Sequence, residues 1–355
     1  MKIRPLKYLI PVSLYVLAFL AFTQTGAWCW LPVIYAWVII PVTELLIKPD
    51  KKNMDAAEEE MARADKLYDY ILYTVIILIY PMLYLFLRSM QEQNLAVNDI
   101  AGRVWTMGLI CGTFGINVGH ELGHRVNSFE QSLAKAGLLS SMYTHFFIEH
   151  NKGHHKNVAT PEDPSSARLH EPVYLFYFRT IIFSYISAWK IANADAHKKN
   201  KPAFSLYNEM LQLQLLQLVF LSIIIFVFGW KITLFYLCAA AIGFLLLETV
   251  NYIEHYGLSR KKKENGNYER AMPQHSWNSN HVAGRLMLFE LSRHSDHHYL
   301  ASRKYQVLRN HEEAPQMPTG YPGMMILSLV PPLWFYVMHK QMKKYEMMGE
   351  GKVKK

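Results

Sequence analysis

Long uncharged apolar runs alternate with charged, histidine-rich stretches along this chain of 355 residues. A single soluble core would not separate the two kinds of residue so sharply, whereas membrane-spanning helices joined by aqueous segments would. The first run, 8–43, has no charged residue, and residues 23–26 predict a turn within it, so we expect a helical hairpin. Four further runs predict one span each, and together they indicate an all-α membrane protein with about six transmembrane helices: 70–87, 104–119, 210–230 and 232–247.

A later apolar run, 317–338, differs from these because four prolines interrupt it: Pro318, Pro322, Pro331 and Pro332. Proline inside a helix removes a backbone hydrogen bond and clashes with the preceding turn. The run therefore predicts an interfacial or packed segment rather than a seventh regular span.

The placement of lysine and arginine orients the helices, since cytoplasmic loops carry an excess of both. With both termini in the cytoplasm, 34 of the 37 lysines and arginines lie on that side, and only Arg88, Arg103 and Lys231 lie outside. We therefore expect an integral protein of a bacterial inner membrane, with both termini and the histidine-rich regions in the cytoplasm.

This topology divides the chain into four parts. Residues 1–119 are predicted to form four transmembrane helices with a cytoplasmic connection at 48–69. Residues 120–208 form a cytoplasmic region with the first two histidine motifs described below, and residues 209–250 form two more transmembrane helices. Residues 251–355 form a second cytoplasmic region, which ends in the interfacial C-terminal segment.

The net charge of +9 lies mainly on the cytoplasmic face. Orientation in the membrane and contact with anionic lipid explain it, and docking of an acidic protein is the alternative; we expect no nucleic-acid binding. Cys29, Cys111 and Cys238 all lie in apolar segments and form no C-x-x-C pair. Electrons for any redox reaction must therefore come from another protein.

Nine of the 16 histidines form four clusters at the cytoplasmic ends of apolar segments. Neutral imidazole is the commonest metal ligand in proteins, and nine imidazoles are too many for one first-row ion and enough for two. The clusters predict a two-metal site facing the bilayer, which suggests oxygen chemistry on a membrane-dissolved substrate. The nine predicted ligands are His120, His124, His150, His154, His155, His255, His294, His297 and His298.

Spacing within the clusters predicts which side chains share a helix face. Histidines four residues apart lie one turn apart on the same face, as expected for the pair His120 and His124 and for the pair His150 and His154. His155 should then point about 100° around the helix from His154. Imidazole suits iron, copper, zinc and nickel alike, so the ligand type alone leaves the metal open.

Two other functions are compatible with parts of this pattern. His120, Glu121 and His124 satisfy the H-E-x-x-H motif of zinc proteases, but a protease would leave the other seven histidines unexplained. A metal transporter would need ionisable residues within its spans, and the central parts of the predicted spans have almost none.

The motifs resemble those of the integral-membrane alkane monooxygenases, over roughly residues 100–335. The resemblance rests on three histidine boxes, 120–125, 149–155 and 291–298, and on the N-Y-I-E-H-Y-G stretch around His255. Arg125 stands where the family usually has lysine, and Ser292 where it usually has glutamine. Three further stretches fit the family: V-A-T-P-E-D at 158–163, S-W-N-S-N-H at 276–281 and T-G-Y-P-G at 319–323.

The resemblance implies a di-iron centre held by the nine histidines, O₂ as co-substrate and rubredoxin as electron donor. The implied reaction is hydroxylation of the terminal methyl group of an alkane drawn from the bilayer. A membrane fatty-acyl desaturase or acyl hydroxylase is the alternative, because those enzymes also use clustered histidines. The spacing of His150, His154 and His155 and the H-Y-G element at His255 favour the alkane family.

Four carboxylates adjoin predicted ligands and could orient them by accepting their free N–H groups: Glu121, Glu149, Glu254 and Asp296. The alternative is that they pair with Arg125, Arg293 or Lys152. Among the remaining histidines, His145, His275 and His281 are expected to make hydrogen bonds or pack in the core near the motifs. His197 and His339 adjoin lysines and are expected to be solvated.

Two further sites are expected from local composition. Ala36 is a small residue in a helix rich in tryptophan and tyrosine, where it could leave a substrate tunnel open or let two helices pack closely. Arg260, Lys261, Lys262 and Lys263 form the densest cationic run and could dock an acidic electron donor; contact with anionic lipid is the alternative.

Overall fold

The computed structural model describes the backbone of residues 4–353 and the side chains of residues 4–346. The first three and last two residues of the predicted domains therefore lie outside this description. Regular secondary structure in the described range is helical, apart from two isolated bridges, Lys262–Tyr268 and Asn278–Gln316. The helical fold class predicted from the sequence is confirmed.

Five helices are long and apolar enough to cross a membrane: α1 (Arg4–Thr23), α2 (Gly26–Leu46), α4 (Leu67–Ser89), α9 (Glu209–Phe228) and α10 (Trp230–His255). They correspond to five of the six predicted spans. The predicted hairpin is present, because α1 ends at Thr23 and α2 begins at Gly26, whose φ of 70° permits the tight turn. A short helix, α3 (Ala56–Ala64), lies in the connection between α2 and α4.

The remaining predicted span, 104–119, lies within α5 (97–123), which contains a π-helical turn at Cys111–Ile116. It is not among the five apolar helices, since glycine and polar residues reduce its hydropathy. Close packing explains this composition: a Cβ at Gly108 would lie 2.5 Å from Cγ2 of Ile242, and one at Gly243 would lie 2.7 Å from Cβ of Cys111. Helices α5 and α10 therefore pack backbone to backbone at the centre of the bundle.

After α5 the chain forms α6 (Ser128–Leu139), α7 (146–157) and α8 (Val173–Lys198). The sequence pattern did not predict α8, although it has 26 residues. Its small buried residues, among them Ser184 and Ala188, face α7 and α10, and its other face exposes Leu175, Phe178 and Ile182. Helix α8 thus packs against α7, the helix that contains the second histidine motif.

The C-terminal part contains α11 (Val282–Met287), α12 (His294–Tyr299), α13 (Tyr321–Ser328) and α14 (Pro331–Val353). The run 317–338 is divided between α13 and α14, so the prediction that it is not one regular span is confirmed. Pro322, Pro331 and Pro332 all lie in first turns, where the missing N–H has no helical partner to lose. Tyr321 and Trp334 are fully buried, so this segment packs against the bundle.

Candidate metal centre

The histidine motifs meet at one end of the helix bundle, at the C-terminal ends of α5 and α10 and on α7 and α12. The nine predicted ligands form two groups, and within each group one ring nitrogen per residue lies within 4.8 Å of the others. The five-histidine group contains His120, His124, His150, His155 and His297, and the four-histidine group contains His154, His255, His294 and His298. The structure thus brings together every histidine that the sequence analysis selected.

The second motif is divided between the groups in a way that differs from the sequence expectation. A regular α-helix would place His150 and His154 on one face, but residues His150–His154 form a π turn. This wider turn brings residues five apart together, so Nε2 of His150 lies 3.0 Å from Nε2 of His155. His154 instead faces His298, at 3.2 Å between their Nε2 atoms. The π turn therefore lets one short helix contribute to both groups.

The Nε2 atoms of the five-histidine group form a closed ring with five contacts. Their lengths are 3.0 Å (His120–His297), 3.1 Å (His297–His155), 3.0 Å (His155–His150), 3.2 Å (His150–His124) and 3.3 Å (His124–His120). A neutral Nε2 either donates or accepts a hydrogen bond. Donors and acceptors cannot alternate around an odd ring, so hydrogen bonds alone cannot satisfy all five contacts. One cation within the ring would satisfy every nitrogen.

The spacing of these nitrogens also fits a metal site. Two ligand atoms about 2.1 Å from one ion and at right angles to each other lie about 3.0 Å apart. Burial, followed by the charge of the neighbouring Arg125, lowers the pKa of His124 to about 3. Burial, followed by neighbouring imidazoles, also lowers the pKa of His150, His155 and His297. These four imidazoles are therefore neutral at physiological pH, the form that binds a metal ion.

One carboxylate that the sequence analysis did not single out contacts a predicted ligand histidine. Asp163 is fully buried, and its Oδ2 lies 2.9 Å from Nδ1 of His154, the nitrogen that faces away from the group. Ser166 donates to the same oxygen at 2.6 Å. A carboxylate in this position fixes the tautomer and the orientation of a metal-binding imidazole. The V-A-T-P-E-D stretch at 158–163, which resembles the family, was the available signal.

The four carboxylates that were singled out lie in different surroundings. Glu121 accepts from Arg125 at 2.6 Å and from the backbone N–H of Tyr305. Asp296 accepts from Arg303, from the backbone N–H of Arg309 and from His311. Glu149 lies against Gly153, and within the described residues no hydrogen bond joins it to a predicted ligand histidine. Of these four carboxylates, only Glu254 contacts a ring nitrogen that faces into a histidine group: its Oε2 lies 3.1 Å from Nε2 of His294.

The other histidines mostly occupy the surroundings expected of them. His145 is buried between the rings of Tyr143 and Tyr185. His275 and His281 make hydrogen bonds with nearby groups of the chain. His339 differs from the expectation of solvation, because it is partly buried and its Nε2 lies 3.0 Å from the Tyr256 hydroxyl.

An apolar cavity of about 90 Å³ lies beside the histidine groups. His120, His150, His294 and Glu254 line it, as do apolar residues of α1, α2, α5, α10 and α13. Ala36, the residue suggested for a substrate tunnel, lines the cavity next to Trp37. The cavity thus joins the predicted metal site to the part of the bundle that contains α2.

Comparisons with known proteins now identify the family. The fatty acid desaturase family model matches residues 101–328. Alkane 1-monooxygenase 2 of Pseudomonas aeruginosa is 37% identical over 90% of this chain and 85% of its own length. Alkane 1-monooxygenase 1 of the same organism is 39% identical over 90% and 84%, and the alkane 1-monooxygenase of Acinetobacter baylyi is 40% identical over 86% and 74%.

The chain belongs to the alkane 1-monooxygenase family. The match spans the membrane helices as well as the histidine motifs, since it covers about nine-tenths of the chain in the first two relatives. The sequence-based recognition of this family is confirmed. The desaturase family model covers the region of the motifs, which is consistent with the shared use of clustered histidines.

In this member of the alkane 1-monooxygenase family, the basic run at 260–263 lies in the loop after α10. Arg260 donates to the backbone oxygens of Lys156 and Glu269 and so holds the loop beside His155. Lys261, Lys262 and Lys263 are exposed. His124 and His155 are the least buried members of the five-histidine group, so this loop adjoins the more accessible edge of the centre.

Proposed function

We propose that this protein is a di-iron alkane 1-monooxygenase, which uses O₂ and electrons from rubredoxin to hydroxylate the terminal methyl group of an alkane. The observation that carries the proposal is the arrangement of nine histidines in groups of five and four beside an apolar cavity. The family supplies the choice of iron. We place the centre on the cytoplasmic side of a bacterial inner membrane, in line with the distribution of lysine and arginine.

The chemistry of the donor set fits two iron ions. All nine candidate ligands are imidazoles, a type that suits iron. The five Nε2 atoms that contact one another in a closed series need a cation between them to be satisfied. When bound, the two ions would supply the reductive activation of O₂. The protein contributes the orientation of the imidazoles, in which Asp163 fixes His154.

The cavity positions the substrate by shape, because an alkane has no polar group to bind. Each buried CH₂ group contributes about 0.8 kcal/mol to binding. The two asparagines of the cavity wall already donate hydrogen bonds to other groups, Asn117 to the Leu288 carbonyl and Asn251 to Glu248. Apart from the histidines and Glu254, the wall therefore presents mainly apolar side chains to the substrate.

Product analysis tests the proposed reaction against the alternative of acyl desaturation or acyl hydroxylation. The purified protein would be supplied with rubredoxin, a rubredoxin reductase, NADH and O₂, and then with a linear alkane or a fatty-acyl substrate. We expect a terminal alcohol that contains oxygen from labelled O₂. A double bond in the acyl chain without alcohol from the alkane would contradict the proposal.

We expect Ala36→Trp to shorten the range of accepted alkanes. An indole in the cavity would block the distal methylenes of a long chain and leave room for a short one. Turnover of hexadecane should fall about tenfold or more, because several of its CH₂ groups lose their burial. Turnover of hexane should be retained. The measurement is the profile of alcohols formed from alkanes between hexane and octadecane.

Val38→Trp is the matched control, because Val38 lies on the same helix, is 52% exposed and does not line the cavity. That variant should keep the profile of the parent protein. If Ala36→Trp lowers turnover equally at all lengths, Ala36 is a helix-packing residue and does not select substrate length.

We expect charge reversal at Lys262 and Lys263 to slow reduction by an acidic donor and to weaken the salt dependence of that rate. Charges at the rim of an interface act mainly on association. Arg260 is left intact because it holds the loop to Lys156 and Glu269. The measurement is the second-order rate constant of reduction by rubredoxin at several ionic strengths.

The exposed neighbouring pair Lys343 and Lys344 provides a control with the same change in net charge. Reversal there should leave the rate and its salt dependence nearly unchanged. Identical kinetics in the two double variants would mean that the donor docks elsewhere.

A further inference from the structure

A second cavity, of about 110 Å³, lies at the start of α1 and is lined mainly by polar and charged side chains. Within the described part of the chain it shares no lining residue with the apolar cavity beside the histidines. Five cationic side chains line it: Arg4, Lys7, Lys52, Arg285 and Arg293. The carboxylates in its wall are fewer: Asp50, Glu59 and Glu290. The cavity therefore has an excess of positive charge, which attracts anions.

One buried carboxylate is shared by three of these cations. Glu290 is 3% exposed and accepts from Nε of Arg285 at 2.6 Å. Nε of Arg293 lies 3.9 Å from one of its oxygens, and Nζ of Lys7 lies 3.8 Å from the other. The Tyr8 hydroxyl donates to the same carboxylate at 2.7 Å and adds no charge. Because one negative charge does not balance three positive charges, this cluster is short of an anion.

The other two carboxylates of the wall do not make up the difference. The Asp50 side chain is 56% exposed, and its Oδ2 lies 3.9 Å from Nη1 of Arg285, so solvent screens this pair. Glu59 accepts from both Nε and Nη2 of Arg309, which does not line the cavity. The positive charge around Glu290 thus remains in excess.

Arg293 has a donor that the fold leaves unused. Its residue is 4% exposed, Nη1 donates to the Leu308 carbonyl at 2.6 Å, and Nη2 donates to the Lys52 carbonyl at 3.0 Å. Nε has no hydrogen-bond partner within the described residues. Backbone carbonyls accept hydrogen bonds but do not neutralise a guanidinium. Phosphate oxygens do both, and arginine binds them with strong, charge-assisted hydrogen bonds.

The position of the cavity favours a lipid as the source of such an anion. Arg4 and Lys7 lie at the start of α1, which is long and apolar enough to cross a membrane, so the cavity lies at a membrane boundary. Leu6, Leu9 and Ile10 in the same stretch are 44%, 45% and 46% exposed and offer apolar surface to acyl chains. A phospholipid can therefore place its phosphate in the cavity while its chains lie along α1.

We propose that this cavity binds a phosphate group and that its ligand is the headgroup of an anionic phospholipid. The phosphate supplies the negative charge that the cluster around Glu290 lacks. Arg293 directly precedes His294, the first residue of α12, so the bound headgroup links the membrane to the segment that contains the third histidine motif. The inference is independent of the proposed reaction, since the cationic side chains of the cavity lie outside both histidine groups.

The test is lipid binding by the double variant Lys7→Gln with Lys52→Gln. Both lysines line the cavity and are at least partly exposed, so the fold should tolerate their loss, whereas Arg285 and Arg293 make buried hydrogen bonds and are kept. The full-length protein in a neutral detergent would be titrated at fixed ionic strength with dioctanoyl phosphatidylglycerol and, separately, with inorganic phosphate. Native mass spectrometry and the unfolding temperature would record binding.

We expect the parent protein to bind the lipid saturably and the double variant to bind it at least about tenfold more weakly, because two of the cations that attract the headgroup are gone. Lys48→Gln with Lys51→Gln is the matched control. These exposed lysines lie in the connection that also contains Lys52, carry the same charge and do not line the cavity. This control should bind the lipid as tightly as the parent.

Equal lipid affinities in the two double variants, or no saturable binding of either probe by the parent, would overturn the proposal. Saturable binding of inorganic phosphate that depends on Lys7 and Lys52, without binding of the lipid, would support the phosphate site and overturn its assignment to a lipid. None of these results depends on the iron content or the turnover of the protein.

Discussion

Alanine at His297 or at His298 is expected to abolish alkane hydroxylation while removing iron from different sites. These residues are neighbours in the sequence, but His297 belongs to the five-histidine group and His298 to the four-histidine group. Loss of one imidazole leaves a dehydrated cation short of a ligand, and activity should fall by at least about a thousandfold, a loss of roughly 4 kcal/mol in transition-state stabilisation. Iron content and Mössbauer spectra of the two variants give the measurement.

His197→Ala is the control, since His197 is exposed at the end of α8. It should keep the iron content and the turnover of the parent protein. All three proteins should insert in the membrane equally, because the apolar spans are unchanged. Loss of the same spectral component in His297→Ala and His298→Ala would contradict the division into two groups, and normal iron and turnover in either would remove that residue from the ligand set.

Asp163→Asn is expected to weaken iron binding in the four-histidine group by about 10- to 100-fold, the usual effect of losing a carboxylate that orients a ligand. The amide can present a donor to Nδ1 of His154 where the carboxylate accepts, which favours the wrong tautomer. The measurement is ferrous-iron affinity under anaerobic conditions, with turnover as the second readout.

Glu162→Gln changes the neighbouring carboxylate, which is exposed, and should have no effect on iron affinity. The Mössbauer spectrum of Asp163→Asn should show an unchanged signal from the iron in the five-histidine group. Equal weakening of both sites would mean that Asp163 supports the fold as a whole rather than the orientation of His154.

Much of the membrane architecture could be predicted from apolar run length alone. The hairpin of α1 and α2 and the helices α4, α9 and α10 follow from the need to satisfy backbone groups within each span. The helix α8 escaped prediction because only one of its faces is apolar and exposed, while the buried face consists of small residues that pack against α7 and α10. A face of small residues can be recognised as buried only when the helices that pack against it are known.

The candidate site was predictable in its residues but not in its pairing. Clustered histidines identify the candidate ligands, whereas the π turn at His150–His154, which places His154 in one group and His155 in the other, has no sequence signature. Asp163 illustrates a second limit. It lies near predicted ligands in the sequence, as several other carboxylates do, and only the structure shows that its Oδ2 lies 2.9 Å from Nδ1 of His154.

The central claim is a di-iron centre made by two histidine groups, and the most direct test is the metal content of the full-length protein purified anaerobically in detergent. The account predicts about two iron ions per chain, as the division of the nine histidines into two groups requires, with rubredoxin-dependent conversion of a linear alkane to its terminal alcohol. One iron per chain at saturation, or stoichiometric zinc in a protein that binds no iron, would contradict it.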